Sequence, residues 1–127
     1  MKYLVLAIVI IMSCAAFGQT ASVNLTWTAP GDDSTSGTAS QYDLRMSTDS
    51  TALVNSFTTA IRITVPAPKP AGSKETFVVT GLLPNTTYFF ALKTADEVPN
   101  WSLISNIFKY KTPDTIAPAK VTDLRAE

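Results

Sequence analysis

Between Val23 and Thr28 apolar and polar residues alternate strictly, with Val23, Leu25 and Trp27 on one side and Asn24, Thr26 and Thr28 on the other. A period of two puts successive side chains on opposite faces of an extended chain, so this stretch predicts a half-buried β-strand. The same alternation returns at residues 41–47, where Tyr42, Leu44 and Met46 would point inward, and at 61–65, and residues 75–80 read as a further strand. It returns again at 88–92, with Tyr88, Phe90 and Leu92 on one face, and residues 105–112 read as the closing strand. Breakers separate these runs. Ala29-Pro30-Gly31 stops the first strand, and residues 32–40 form a polar loop. Pro66, Pro68 and Pro70 remove ladder donors, so residues 66–72 read as a crossing between sheets. Residues 48–60 are polar with apolar spots at Leu53, Val54 and Phe57, and predict a loop or a short helical turn. Several short strands with turn signals between them predict an all-β, antiparallel sandwich.

One turn organises the rest. In Gly81-Leu82-Leu83-Pro84-Asn85-Thr86-Thr87-Tyr88, Gly81 allows backbone angles closed to other residues and Pro84 fixes φ. A Tyr just after such a turn can bury its ring and return its hydroxyl to the backbone a few residues upstream, the tyrosine corner of Greek-key sandwiches. Gly81, Leu82, Pro84, Thr86 and Tyr88 stand where fibronectin type III modules carry G-L-x-P-x-T-x-Y, and residues 19–113 resemble such a module. The resemblance implies a Greek-key sandwich of about seven strands (lettered A to G in that family). It gives structural roles to Trp27, Tyr42, Leu82, Pro84 and Tyr88, with Trp27 in the core. Only residues 19–22 precede strand B, so strand A is expected to be short or missing, which leaves an exposed edge prone to association. Residues 114–127 resemble a linker and the opening of another module, and Val121 to Arg125 are the suspected donor in any strand exchange.

The opening residues belong to neither. Met1 and Lys2 precede an apolar run from Tyr3 to Met12, followed by small residues. A basic start, an apolar run of about ten and a small-residue site make a secretory signal; a bilayer-spanning helix needs roughly 20 apolar residues. Residues 1–18 are thus read as a leader, with Ala16-Phe17-Gly18 directing cleavage before Gln19. The alternative is a bacterial lipobox at Ile11-Met12-Ser13-Cys14, in which Cys14 would be lipidated, although Met12 is unusual there. Either route carries the chain out of a bacterial cytoplasm, to be secreted or held at the surface or in the periplasm.

Charge and residue types narrow the chemistry. Ten basic and ten acidic side chains cancel, and loss of Lys2 with the leader leaves nine against ten. Without a basic stripe, nucleic-acid binding has no electrostatic footing. The chain has no His, and its one Cys is Cys14, so nucleophilic triads and ordinary zinc sites are excluded from the folded part. No Gly-rich loop precedes a helix, and a small filled sandwich offers no cleft for a carboxylate pair, so no enzyme is expected. Asn24, Asn85 and Asn100 match the glycosylation pattern, but strand and tight-turn placement argues against modification of Asn24 and Asn85.

The resemblance brings the B–C and F–G loops to one pole. Asp32 and Asp33 would then lie near Asp96 and Glu97, a set of oxygens that could hold Ca²⁺ or serve as ordinary solvated turn residues. Trp101, beside Asn100, would stack on a sugar, anchor a protein contact, or fold back to cap the sandwich end. The expected function is non-catalytic: an extracytoplasmic module that spaces, displays or adheres within a longer protein. The alternatives are glycan or protein recognition through that pole, or service as an accessory domain of a secreted hydrolase.

Overall fold

The computed structural model describes residues 20–127. The leader, the cut before Gln19 and the Cys14 lipidation site lie outside the described residues. The strands are β1 (Ala21–Thr28), β2 (Gln41–Ser47), β3 (Ile61–Ile63), β4 (Lys74–Leu82), β5 (Thr87–Ala95) and β6 (Phe108–Lys111). β1 pairs antiparallel with β4, and β3-β2-β5-β6 form a second antiparallel sheet. The chain crosses between the sheets after β1, after β3 and after β4, which is the connectivity of a Greek key. No strand before β1 joins the smaller sheet among the described residues. None of the described helices is long and apolar enough to cross a membrane.

The alternating residues meet between the sheets. Val23 and Leu25 from β1, Val79 and Leu82 from β4, and Leu44, Tyr88 and Phe90 from the facing sheet form one buried cluster. Full burial of such a side chain contributes roughly 1.5–3 kcal/mol, so this cluster is the main source of stability. Met46 and Leu92 pack against it, half-buried. Trp27 is also half-buried rather than central. It sits at the flank of the cluster and meets Tyr42 edge to face at 5.4 Å between ring centres. The Tyr42 hydroxyl donates to Glu75 Oε2 at 3.0 Å, and the same oxygen accepts the Lys69 N–H at 2.9 Å. This buried carboxylate ties β2 of one sheet to β4 of the other and to the proline-rich crossing.

Residues 48–60 do more than connect. The Asp49 side chain accepts the Thr51 N–H and caps a short helix, α1 (Ser50–Asn55), followed by a 3₁₀ turn at Phe57–Thr59. Leu53, wholly buried, and Phe57 lie on Ala91, Phe89, Ile104 and Ile107. The central strand β5 is therefore covered on both faces, which a simple alternation does not anticipate. Arg45 fastens this cover: it pairs with Asp43 at 2.6 Å and donates to the carbonyls of Thr58 and Ala60.

The turn into β5 has the tyrosine-corner geometry. Gly81 takes φ 73° and Asn85 φ 50°, both in the left-handed region. The Tyr88 hydroxyl accepts the Leu83 N–H at 2.9 Å. Buried Thr112 donates to the Leu83 carbonyl at 2.6 Å and accepts the Thr86 N–H at 3.0 Å, joining the turn to the end of β6. Two strands are shorter than the pattern predicts. β3 stops at Ile63, two residues short of the predicted end and just ahead of Pro66. β6 begins only at Phe108, because serine hydroxyls replace the ladder before it.

Candidate recognition pole

The pole is made by the loop after β1 and the loop after β5. The first is folded on itself: Gly31 donates to the Ser34 carbonyl, while Asp32 and Asp33 both donate to the Ser36 carbonyl. A Cβ at Gly31 would lie 2.1 Å from the Ser36 oxygen, so no other residue fits there. Ser34 at φ 62° and Gly37 at φ 77° supply the reversals that this coil needs.

The second loop is built on Asp96. Its carboxylate accepts the N–H groups of Val98 at 3.0 Å and Asn100 at 2.6 Å, and the Asn100 side-chain amide at 2.7 Å. These donors hold the Asp96 carboxyl below the usual carboxylate range, Asn100 contributing most. The Val98–Pro99 peptide is cis. Past Trp101 the chain follows β5 without forming a regular strand. Ser102 and Ser105 donate their N–H groups to the Thr94 and Leu92 carbonyls at 2.8 and 3.0 Å. Their hydroxyls in turn accept the Thr94 and Leu92 N–H groups at 3.0 and 2.9 Å. A side-chain oxygen at every third residue thus stands in for a strand carbonyl. The Ser-Leu-Ile-Ser spacing was the only sequence trace of this device.

Between the loops lies a shallow cavity of about 250 Å³, lined by Pro30 and Asp32 on one side and by Asp96, Asn100 and Trp101 on the other. Trp101 is 43% exposed, and Val98 at 68% and Leu103 at 91% flank it. Asp32 and Asp96 both line this cavity. Partial burial, then the facing Glu97, push the Asp32 carboxyl above its ordinary range, with Asp33 and Asp96 adding to the effect. Asp32 Oδ1 is closed off from solvent and meets no donor among the described residues.

The four-acid calcium set does not close. Among the described residues no three of His, Cys, Asp or Glu are grouped so as to hold a metal ion. The physical reason is that Asp96 is turned into its own loop, where three donors occupy it. Asn100 is likewise committed to Asp96 rather than offered to a ligand. Trp101 does not fold back over the sandwich end as a fully buried cap would; it pairs with Ala95 through its backbone and keeps much of its ring in solvent. The pole therefore offers a fixed apolar display beside an acidic pair.

The model of the fibronectin type III domain matches residues 12–107, a span that begins inside the stretch read as a leader. Human "Calcium-activated chloride channel regulator 1" is 40% identical over 91 residues, which is 67% of this chain and 10% of that protein. The mouse protein of the same name is 41% identical over the same length. Human "Calcium-activated chloride channel regulator 4" is 35% identical over 106 residues, 74% of this chain and 12% of that protein. The chain thus spans about a tenth of the length of these relatives. They are animal proteins and lend no support to a bacterial source. No solved structure matches.

Proposed function

Since the chain belongs to the fibronectin type III family, we propose that it acts as a non-catalytic interaction module of a longer extracytoplasmic protein, making contact through the pole around Trp101. The observation that carries this reading is the pinned loop. Asp96 fixes its start and Ser102 and Ser105 fix its end, so Val98, Trp101 and Leu103 are held outward in one conformation. Apolar side chains displayed by a preorganised loop lose little entropy on binding, and an aromatic anchor is the commonest source of binding energy at such surfaces. The acidic pair Asp32 and Glu97 beside them favours partners with basic or hydroxyl-rich surfaces.

Catalysis is a poorer use of the same groups. Of the two acids that line the cavity, Asp96 has its carboxylate occupied by Val98 and Asn100, which leaves Asp32 without the second free carboxyl that glycosidic chemistry needs. The role as spacer or adhesive unit is compatible with this surface, since the two ends of the sandwich are then the points of contact with neighbours. The test is to screen the module against arrays of immobilised glycans and extracellular proteins beside a Trp101→Ala variant. Saturable binding that the variant loses supports recognition at the pole. Binding untouched by the variant, or none to any array member, overturns it.

A further inference from the structure

Among the described residues the smaller sheet ends at β1. Among the described residues β1 pairs on one side only, with β4. Next to its free side a cavity of about 230 Å³ runs inward between β1 and β5, lined by Asn24, Leu25 and Trp27 and reaching Leu44 and Phe90 of the core. Phe108 stands at its rim, 44% exposed.

The other edges carry the features that discourage pairing. β3 is three residues long and contains Arg62; β6 is four residues long and contains Lys109 and Lys111; β4 contains Lys74, Glu75 and the left-handed Gly81. Short length, charge and irregular backbone all blunt an edge. β1 has none of them: eight residues, Ala21 to Thr28, without charge, proline or glycine. It is the one described edge shaped to accept a strand.

A donor of fitting length is on the same molecule. Residues 113–127 are exposed throughout, with Ile116, Val121 and Leu124 at 65%, 71% and 91%. This tail leaves the sandwich at Thr112, the end where β1 begins, since Ala21 pairs with Leu82 and Thr112 bonds to Leu83. Run along its own β1, the tail would lie parallel to it. A second copy turned by a two-fold axis across the strands brings its tail to the far end of β1, pointing the opposite way, and so antiparallel. Antiparallel pairing is the more stable per residue, and a two-fold exchange closes on itself. The reach suffices, because an extended tail spans about 45 Å and β1 about 25 Å.

We infer that β1 accepts residues from the 114–127 tail of a second copy of this chain, each copy completing the other's smaller sheet and covering the flank at Phe108. The inference does not depend on the pole at Trp101. It is tested by sedimentation velocity on the full chain from about 1 to 200 µM, beside a chain truncated after Pro113 and a full-length Val121→Asp/Leu124→Asp variant. The expected result is a dimer for the full chain and monomers for both variants, with the β1 amides protected from hydrogen exchange only in the dimer. A monomer across the whole range overturns the inference, including the case in which β1 amides are protected by the same copy's own residues. So does a dimer that survives truncation or the double substitution.

Discussion

Leu83 is held at both of its backbone groups by side chains from the other sheet: the Thr112 hydroxyl donates to its carbonyl at 2.6 Å and the Tyr88 hydroxyl accepts its N–H at 2.9 Å. The Leu83 side chain itself is 62% exposed, so the sequence buries the backbone here and leaves the apolar group outside. Each hydroxyl replaces water at a group that the turn would otherwise leave without a partner. Tyr88→Phe and Thr112→Val should each cost about 1–2 kcal/mol. Because both act on one peptide segment, the double variant should lose less than the sum. Denaturant melts of the four proteins give the coupling directly.

The Arg45–Asp43 pair is a second point of leverage. Both side chains are nearly buried, and Arg45 also holds the 3₁₀ turn through Thr58 and Ala60. Arg45→Ala leaves the Asp43 carboxylate with only the more distant Arg62, at 3.7 Å. A loss of roughly 3 kcal/mol is expected, with faster exchange of amides in 50–60 before those of β1. Uniform exchange across both regions would show that the helical cover is not a separate unit.

Alkali should weaken the link between the sheets. Burial, with Glu75 beside it and an opposing pull from Trp27, pushes the Tyr42 hydroxyl from 10.0 to about 12. The folded state therefore holds this proton more tightly than the unfolded chain. Its contribution is complete below pH 10 and is lost as pH rises toward 12, a fall on the order of 2–3 kcal/mol. Tyr42→Phe should remove that part of the pH dependence, measured as unfolding free energy at pH 9, 10 and 11.

Calcium should leave the melting midpoint unchanged at millimolar concentration, since Asp96 is already satisfied within its loop. A rise of several degrees in the parent, absent in Asp32→Asn, would show that the acids can be drawn together around the ion after all.

Trp101 and Trp27 differ in exposure, and iodide can separate them. Quenching of the parent should be clearly greater than that of Trp101→Phe, because the exposed indole is the one removed. Equal quenching would place Trp101 out of solvent and remove the apolar display.

The strands and the tyrosine corner were legible because period-two alternation and the Gly81–Tyr88 turn are local signals. Trp27 was placed too deep, since its inward phase says which face it occupies and not how far the opposite sheet extends over it. The helical cover was half visible: Leu53 and Phe57 stood out, but nothing local showed that β5 needs covering on its second face. At the pole, loop topology could not say that Asp96 would spend its oxygens on Val98 and Asn100. The serine substitutes for the β6 ladder were missed because two serines three residues apart do not by themselves mark a hydroxyl that stands in for a strand carbonyl.

That serine anchoring has an evolutionary reading. An ordinary ladder constrains a loop through every residue that enters it, whereas here Ser102 and Ser105 carry the attachment and Leu103 between them touches little. Outward positions such as Val98, Trp101 and Leu103 can change without unfastening the loop. A lineage could thus rewrite what this end of the sandwich meets while keeping the scaffold beneath it intact.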